Sequence, residues 1–467
     1  MHLEEMAISK SRVHWTLVFS ALVLATIATF AFPVLASFGF VVALTILFGV
    51  VFPAWTLFLY TASLFLFQVP LFASLPVAIP TAAGLLFIAV AFLHRLIMRS
   101  CLRLRSILPS LLVMLAIVFL FAALTQPEWT ASHPRGIGTY LALCTSAIAV
   151  GLVMQRGQTA WVVVKIFVGG TNVISAIAIY ETWTGHYNPL GLFEGRDERA
   201  YGLADPNYTA ALLVTLIPLL VALFLCGRSL ITRAWAALSI ALVCLTIAMT
   251  ASRGGVLGMI LTGCATFALV SSKQRRRQFG SNIVETNRRF STGRLSVFAA
   301  LLVGLAVAAW LAPTVVWDRF SSSDNWTDPR KEARLRIWAD YLGQVRESPW
   351  WGHGPGYVEE KEELYHNTLL QVLFECGVVG FIAFAVVNGA AFAETVRARK
   401  RFAQQGRHEL AVLSGATAAS LIGFHSTAFF LTSATHKELW FLIGFAASLH
   451  HLSLGKQNPE VACKDQT

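Results

Sequence analysis

The feature that most constrains this chain is a series of apolar runs, each about 20 residues long. A helix of that length spans a hydrocarbon core about 30 Å thick. Such runs recur along the whole chain, and they predict an all-α polytopic membrane protein with 12 to 14 transmembrane helices. The stretch 13–98 is compatible with two or with four crossings. The candidate spans are 13–32, 34–53, 54–74, 77–98, 107–125, 138–155, 160–182, 208–226, 231–250, 254–271, 294–313, 367–388, 411–431 and 436–453.

Composition agrees with this fold class. Charged residues make up 13% of the chain, against about 25% in soluble domains, and the mean hydropathy is +0.64. The first run is followed by further spans and lacks a small-residue cleavage site, so we interpret it as a span and not as a signal peptide. The net charge of +11 fits basic cytoplasmic loops better than nucleic-acid binding, and we expect no nucleic-acid partner.

Cofactor and metal motifs are missing from the sequence. The seven cysteines are scattered, which argues against a disulfide framework and a zinc site. There is no Asp-x-Asp pair, no His/Cys cluster and no P-loop, and the acidic residues of 359–363 resemble a solvated charge run. We therefore expect no metal, no nucleotide and no other cofactor.

Charge also predicts orientation. The segments 273–294 and 397–407 are strongly basic, which is typical of cytoplasmic loops. Both termini then lie inside, with 454–467 as a cytoplasmic tail, and the segments 183–207, 251–254 and 314–365 lie outside. This divides the chain into a membrane region 1–313, a large external loop 314–365 and C-terminal spans 366–453.

The large loop contains a helix signal. Asp328 suits an N-cap and Pro329 suits the first helical position. An apolar stripe at spacings of three and four follows, which predicts an amphipathic helix over 329–346 with its aromatic side on the membrane. The stripe consists of Leu335, Trp338, Leu342 and Val345.

Two external arginines are candidates for anion binding. Arg199 precedes the span 208–226, and Arg253 lies in a Ser-Arg-Gly-Gly turn between two spans. Guanidinium groups bind phosphate with two parallel hydrogen bonds and stay charged, and a helix N-terminus adds N–H donors. The alternative is that both arginines anchor the chain at the lipid headgroups.

A histidine begins the span 367–388 at its predicted outer end. Imidazole titrates near pH ~6.5, so His366 can act as a general base; helix capping is the alternative. We expect the three residues Arg199, Arg253 and His366 to converge at one face. Further candidates that could support them are Ser252, Asp205, Asn207, Arg334, Arg336, His353, Tyr357, Asn367 and Gly377.

The order of these motifs resembles the bacterial O-antigen ligase/polymerase superfamily, and most closely its O-antigen ligases. The shared pattern is an external arginine before Pro-Asn, the Ser-Arg-Gly-Gly turn, a large external loop and His-Asn-x-x-Leu. In that family ten residues separate a histidine from a glycine at the end of the large loop, and His366 and Gly377 have this spacing. The resemblance covers residues 183–388.

The resemblance implies a GT-C-like bundle of about twelve helices in the bacterial inner membrane, with its active site facing the periplasm. The donor would be O-antigen polysaccharide on undecaprenyl diphosphate, and the acceptor would be lipid A–core oligosaccharide. Arg199 and Arg253 would hold the diphosphate. His366 would be the general base or would itself bind the diphosphate.

Other functions remain open. Within the superfamily, an O-antigen polymerase or a protein O-oligosaccharyltransferase would use the same donor with another acceptor. A transporter of polyisoprenoid-linked sugars is the alternative from a different class, but it would require polar groups at the membrane midplane and often an internal repeat. The sequence shows neither of these clearly.

Overall fold

The structure is a computed structural model. It describes residues 45–66, 70–72, 75–97, 104–126, 132–186, 199–202, 205–270, 329–357 and 366–455. The predicted spans 13–32 and 294–313, most of 34–53, and the tail from residue 456 lie outside the described residues. So do Asp328 and most of the segments 273–294 and 314–328.

Twelve helices and one small hairpin form the described ranges. The helices are α1 (Pro53–Ser63), α2 (Ile79–Ile97), α3 (Leu108–Leu124), α4 (Ser132–Val153), α5 (Gly157–Thr184), α6 (Pro206–Cys226), α7 (Leu230–Met249), α8 (Arg253–Val270), α9 (Pro329–Val345), α10 (Thr368–Gln404), α11 (His408–Ala428) and α12 (Lys437–Leu454). A short 3₁₀ turn, Leu64–Leu66, follows α1. The strands β1 (Pro70–Phe72) and β2 (Leu75–Ala78) pair in antiparallel fashion.

Eight of the described helices are long and apolar enough to cross a membrane: α2, α4, α5, α6, α7, α8, α10 and α11. The two apolar helices of 53–66 and 108–124 are shorter. The prediction of an all-α polytopic membrane protein is therefore confirmed.

Two predicted spans differ from the structure. The run 54–74 does not continue as one helix, because helical structure ends at Leu66 and the chain enters the hairpin at Pro70. Proline lacks the N–H that a continuing helix would need. The run 367–388 extends to Gln404, since good helix formers such as Glu394 and Arg397 follow it without a proline.

The core lies where α6, α10, α11 and α12 meet. Helix α6 is the most enclosed span, with 83% of its apolar window buried, and it packs on α7, α8 and α11. Helix α10 packs on α3, α11 and α12. Trp440 of α12 is fully buried and contacts the rings of Tyr140 and Phe384.

One end of the bundle is fixed by polar contacts between α3, α10 and α12. The buried carboxylate of Glu394 accepts hydrogen bonds from Ser106 Oγ at 2.7 Å and from the backbone N–H of Ile107 at 3.0 Å. The backbone N–H of Arg105 donates to His451 at 3.1 Å. These contacts cap the start of α3, and they place the candidate site residues at the opposite end of α10.

Candidate functional site

The segment that carries Arg199 is fixed by a buried glutamate. Near the end of α5, one carboxylate oxygen of Glu181 accepts hydrogen bonds from the backbone N–H groups of Tyr201 (2.7 Å) and Gly202 (2.8 Å). Gly202 has a φ of 66°, which glycine adopts without strain. The Arg199 side chain is 8% exposed, so the segment holds a cation within the protein.

This segment lies beside the turn that contains Arg253. The backbone N–H of Ala200 donates to the carbonyl of Met249 at 3.3 Å. Helix α8 then begins at Arg253, where the hydroxyl of Ser252 accepts the N–H of Gly255 at 3.2 Å. The N-cap expected of Ser252 is therefore present, and it fixes the helix start next to the Arg199 segment.

The same helix start also contacts the segment between α11 and α12. A Cβ built on Gly254 would lie 3.1 Å from the Cβ of Phe430, and one on Gly255 would lie 2.7 Å from the Cβ of Ala210 in α6. Larger residues at either position would push these elements apart. The glycines of the Ser-Arg-Gly-Gly turn thus permit the close packing of α8 on α6 and on the 429–436 segment.

His366 is anchored to that segment. Its backbone N–H donates to Thr432 Oγ1 at 3.0 Å, and its φ is 47°. This left-handed conformation is uncommon for a non-glycine residue and carries strain. Asn367 then caps α10, since its side-chain oxygen accepts the N–H groups of Leu369 (2.9 Å) and Leu370 (3.1 Å).

Further hydrogen bonds join α6 and α10 to the 429–436 segment. Tyr208 of α6 donates its hydroxyl to the carbonyl of Thr432 at 3.1 Å. Thr368 Oγ1 donates to the carbonyl of Leu431 at 2.6 Å and lies 2.8 Å from Ser433 Oγ. The segments that carry the two arginines and His366 are therefore linked through α6, α8 and the 429–436 segment at one end of the bundle.

The turn after α9 docks into a break in α10 at Gly377. Gly377 has φ 64° and ψ −170°, which interrupts the helix. The freed carbonyls of Phe374 and Glu375 accept the N–H groups of His353 (2.9 Å) and Gly354 (2.8 Å). On the other side of the break, the N–H of Val378 donates to the carbonyl of Pro349 at 2.8 Å.

His353 and Tyr357 therefore lie in a structural turn. The His353 ring stacks on Phe374 with 4.4 Å between ring centroids, and its Nε2 lies 3.1 Å from the carbonyl of Gln344. The Tyr357 ring lies 5.8 Å from the same phenylalanine. Both side chains hold the turn to α10.

Helix α9 confirms the predicted helix but not the whole predicted stripe. Tyr341 is 5% exposed and its ring contacts Phe374 at 5.0 Å, whereas Leu342 is 48% exposed. Trp338 contacts the ring of Phe429 at 6.0 Å. The prediction was wrong for Leu342, because α9 packs on α10 and on the end of α11, which selects the face with Ile337 and Tyr341.

The remaining candidate residues have local roles. Asp205 caps α6 by accepting the backbone N–H of Asn207 at 2.9 Å. Arg336 lies exposed on α9, and the side chain of Arg334 lies outside the described part. Within the described ranges, no group of three His, Cys, Asp or Glu residues gathers as metal ligands would.

Sequence reasoning missed several residues at this end. They are Glu181, Tyr208, Thr432, and the pair His436 and Glu438, whose Nδ1 and Oε1 atoms lie 2.9 Å apart. Two signals were available. Glu181 is an acid near the end of an apolar run, and His-Lys-Glu stands at the start of the run 436–453; buried ionisable groups of this kind are functional candidates by default.

Two comparisons with known proteins bear on this site. The family described as O-antigen ligase matches residues 238–385, a range that includes Arg253, His366 and Gly377 but not Arg199. An O-antigen ligase of Pseudomonas aeruginosa is 31% identical over 113 residues, which are 23% of this chain and 26% of the relative. The match thus spans about a quarter of that relative's length. With the fold described above, these matches confirm the resemblance, and the chain is a member of the O-antigen ligase superfamily through the domain in residues 238–385.

Proposed function

We propose that the protein is an O-antigen ligase. It transfers polysaccharide from undecaprenyl diphosphate to lipid A–core oligosaccharide and so completes lipopolysaccharide. The reaction takes place in the bacterial inner membrane at the periplasmic face, with both termini in the cytoplasm. The donor is already activated by its diphosphate, so the enzyme must bind the leaving group and accept one proton.

The observation that carries this proposal is the linkage of three chain segments at one end of the bundle. The Arg199 segment is bonded to the end of α7 through Ala200 and Met249. Arg253 begins the next helix, and His366 is bonded to Thr432 beside it. Two guanidinium groups and a helix N-terminus are suited to a diphosphate.

The proposed roles follow from this chemistry. Arg199 and Arg253 bind the diphosphate and stabilise the charge that develops as the glycosyl bond breaks. His366 acts on the same centre, either as the base for the acceptor hydroxyl or as a diphosphate ligand. Loss of one charged hydrogen bond to the diphosphate costs about 1.5–3 kcal/mol.

The direct test is complementation of a ligase-deficient bacterium that makes a compatible O-antigen and core. Wild type should restore the high-molecular-weight lipopolysaccharide ladder, and His366→Ala should not. His366→Asn is the sharper variant, because asparagine tolerates the left-handed backbone but cannot serve as the base. His408→Ala, at an exposed histidine that begins α11, is the matched control and should restore the ladder.

The alternatives in the superfamily differ in the acceptor. Purified protein should be given the lipid-linked polymer with lipid A–core, with a lipid-linked repeat unit, or with a protein acceptor. Product on lipid A–core alone supports the ligase. Elongated lipid-linked glycan alone would instead identify a polymerase, and glycosylated protein alone would identify a protein O-oligosaccharyltransferase.

A further inference from the structure

Beside the proposed site, α12 begins with a second histidine that is paired with a carboxylate. His436 Nδ1 lies 2.9 Å from Glu438 Oε1, and the two side chains are only 14% and 11% exposed. When Nδ1–H donates to a carboxylate, the lone pair of the neutral ring is on Nε2. A base oriented in this way by a third group is the arrangement used in nucleophile and proton-transfer sites.

The pair is close to the anchor of His366. The ring of His436 lies 4.7 Å from the ring of Tyr208, and the Tyr208 hydroxyl donates to the carbonyl of Thr432. Thr432 Oγ1 in turn accepts the backbone N–H of His366. His436 therefore belongs to the same end of the bundle as His366 and the two arginines.

A structural role for an acid at a helix start looks different elsewhere in this chain. Glu409 lies in the first turn of α11, where a negative charge also favours the helix dipole. Its side chain is 47% exposed and it faces Arg228, which is 88% exposed, at 3.4 Å. Glu438 occupies the equivalent position in α12 but is buried with an imidazole, an arrangement whose desolvation cost a dipole contribution alone does not require.

We propose that His436 and Glu438 are the acid–base pair that receives the proton of the acceptor hydroxyl. The inference rests on the proposed function. The acceptor oxygen forms a bond to the anomeric carbon, the bond from that carbon to the diphosphate oxygen breaks, and its electron pair leaves with the diphosphate. The acceptor proton moves to Nε2 of His436, and Glu438 stabilises the resulting imidazolium. His366 then serves as a ligand of the diphosphate.

The test measures transfer by purified full-length protein with lipid-linked glycan as donor and lipid A–core as acceptor. His436→Ala should lower kcat by about 10²–10⁴-fold, while KM for the donor stays near that of wild type. Added imidazole should restore part of the lost rate, because a small base can enter the space left by the ring. His366→Ala should mainly raise the donor KM, and imidazole should not restore its activity.

Two further variants separate charge from shape. Glu438→Gln keeps an oxygen that accepts the Nδ1–H but removes the charge that stabilises imidazolium, so kcat should fall while the thermal midpoint is kept. Glu438→Asp should recover part of the rate. Glu409→Gln is the matched control, and it should transfer glycan at the wild-type rate.

Several results would overturn the inference. An unchanged kcat in both His436→Ala and Glu438→Gln would do so while leaving the ligase function intact. So would a loss of rate that imidazole does not restore and that comes with a lowered thermal midpoint, since this describes a structural pair. If wild type transferred no glycan to any acceptor, the proposed function itself would fail.

Discussion

Gly377→Ala is the substitution for which the structure gives the most detailed prediction. The backbone at Gly377 has φ 64° and ψ −170°, a region that is almost restricted to glycine, and holding another residue there costs about 1–3 kcal/mol. A Cβ at this position would also overlap the backbone carbonyl of Trp350. The substitution should therefore separate the turn 349–357 from α10.

The size of the effect follows from the hydrogen bonds at the break. Val378 and Val379 donate to the carbonyls of Pro349 (2.8 Å) and Trp350 (3.3 Å). Each such bond contributes about 0.5–1.5 kcal/mol net, so losing both adds about 1–3 kcal/mol to the strain. The total is on the order of 2–6 kcal/mol, which a thermal-unfolding experiment in detergent would detect easily.

The assay combines the thermal midpoint with chymotrypsin cleavage at Trp351, whose ring now lies 6.0 Å from that of Phe121. Gly377→Ala should lower the midpoint and speed cleavage. Gly389→Ala, in the same helix and with nothing within 4 Å of the added Cβ, should leave both readouts unchanged or raise the midpoint, since alanine favours a helix over glycine by about 0.8–1 kcal/mol. Equal behaviour of the two variants would refute the account of the break.

Three further predictions concern side chains that hold a backbone in place. Glu181→Ala should weaken donor binding in a titration with lipid-linked glycan, whereas Glu181→Gln should bind nearly as wild type because both N–H groups donate to one oxygen; equal loss in the two would contradict this. Asn367→Ala removes the cap of α10 and should cost about 0.5–2 kcal/mol, seen as a lower thermal midpoint, while Asn367→Asp should retain it. Glu394→Ala leaves two donors at the start of α3 without their acceptor and should lower the midpoint without changing the donor KM; a shift in KM would argue against its purely structural role.

Local patterns predicted much of this structure. Apolar runs gave the helices, because a run of about 20 residues specifies a span by itself. Capping chemistry is equally local, and the side chains of Asp205, Ser252 and Asn367 accept the N–H groups at the starts of α6, α8 and α10. The helix over 329–346 was predicted to within one residue, as Pro329–Val345.

Features that depend on distant segments were not predictable in the same way. Gly377 was singled out by its spacing from His366, yet nothing local shows that the turn at Pro349 would fill the break. The exposed side of α9 was misassigned at Leu342 because Phe374, which selects the packed face, lies about thirty residues away in the chain. The pairing of His436 with Tyr208 joins residues that are separated by most of the C-terminal half.

The site also shows why its supporting residues are as informative as the candidates for chemistry. Helix ends leave backbone N–H and carbonyl groups that need partners. At this end of the bundle, Glu181, Ser252 and Asn367 supply them, and each holds a segment that also carries one of the two arginines or the histidine proposed for catalysis. Fixing the backbone beside a functional side chain restricts its position at no cost to its own bonding capacity, and small displacements of catalytic groups are costly in rate. Substitutions of these three residues should therefore reduce activity through geometry even though none of them is proposed to touch the substrate.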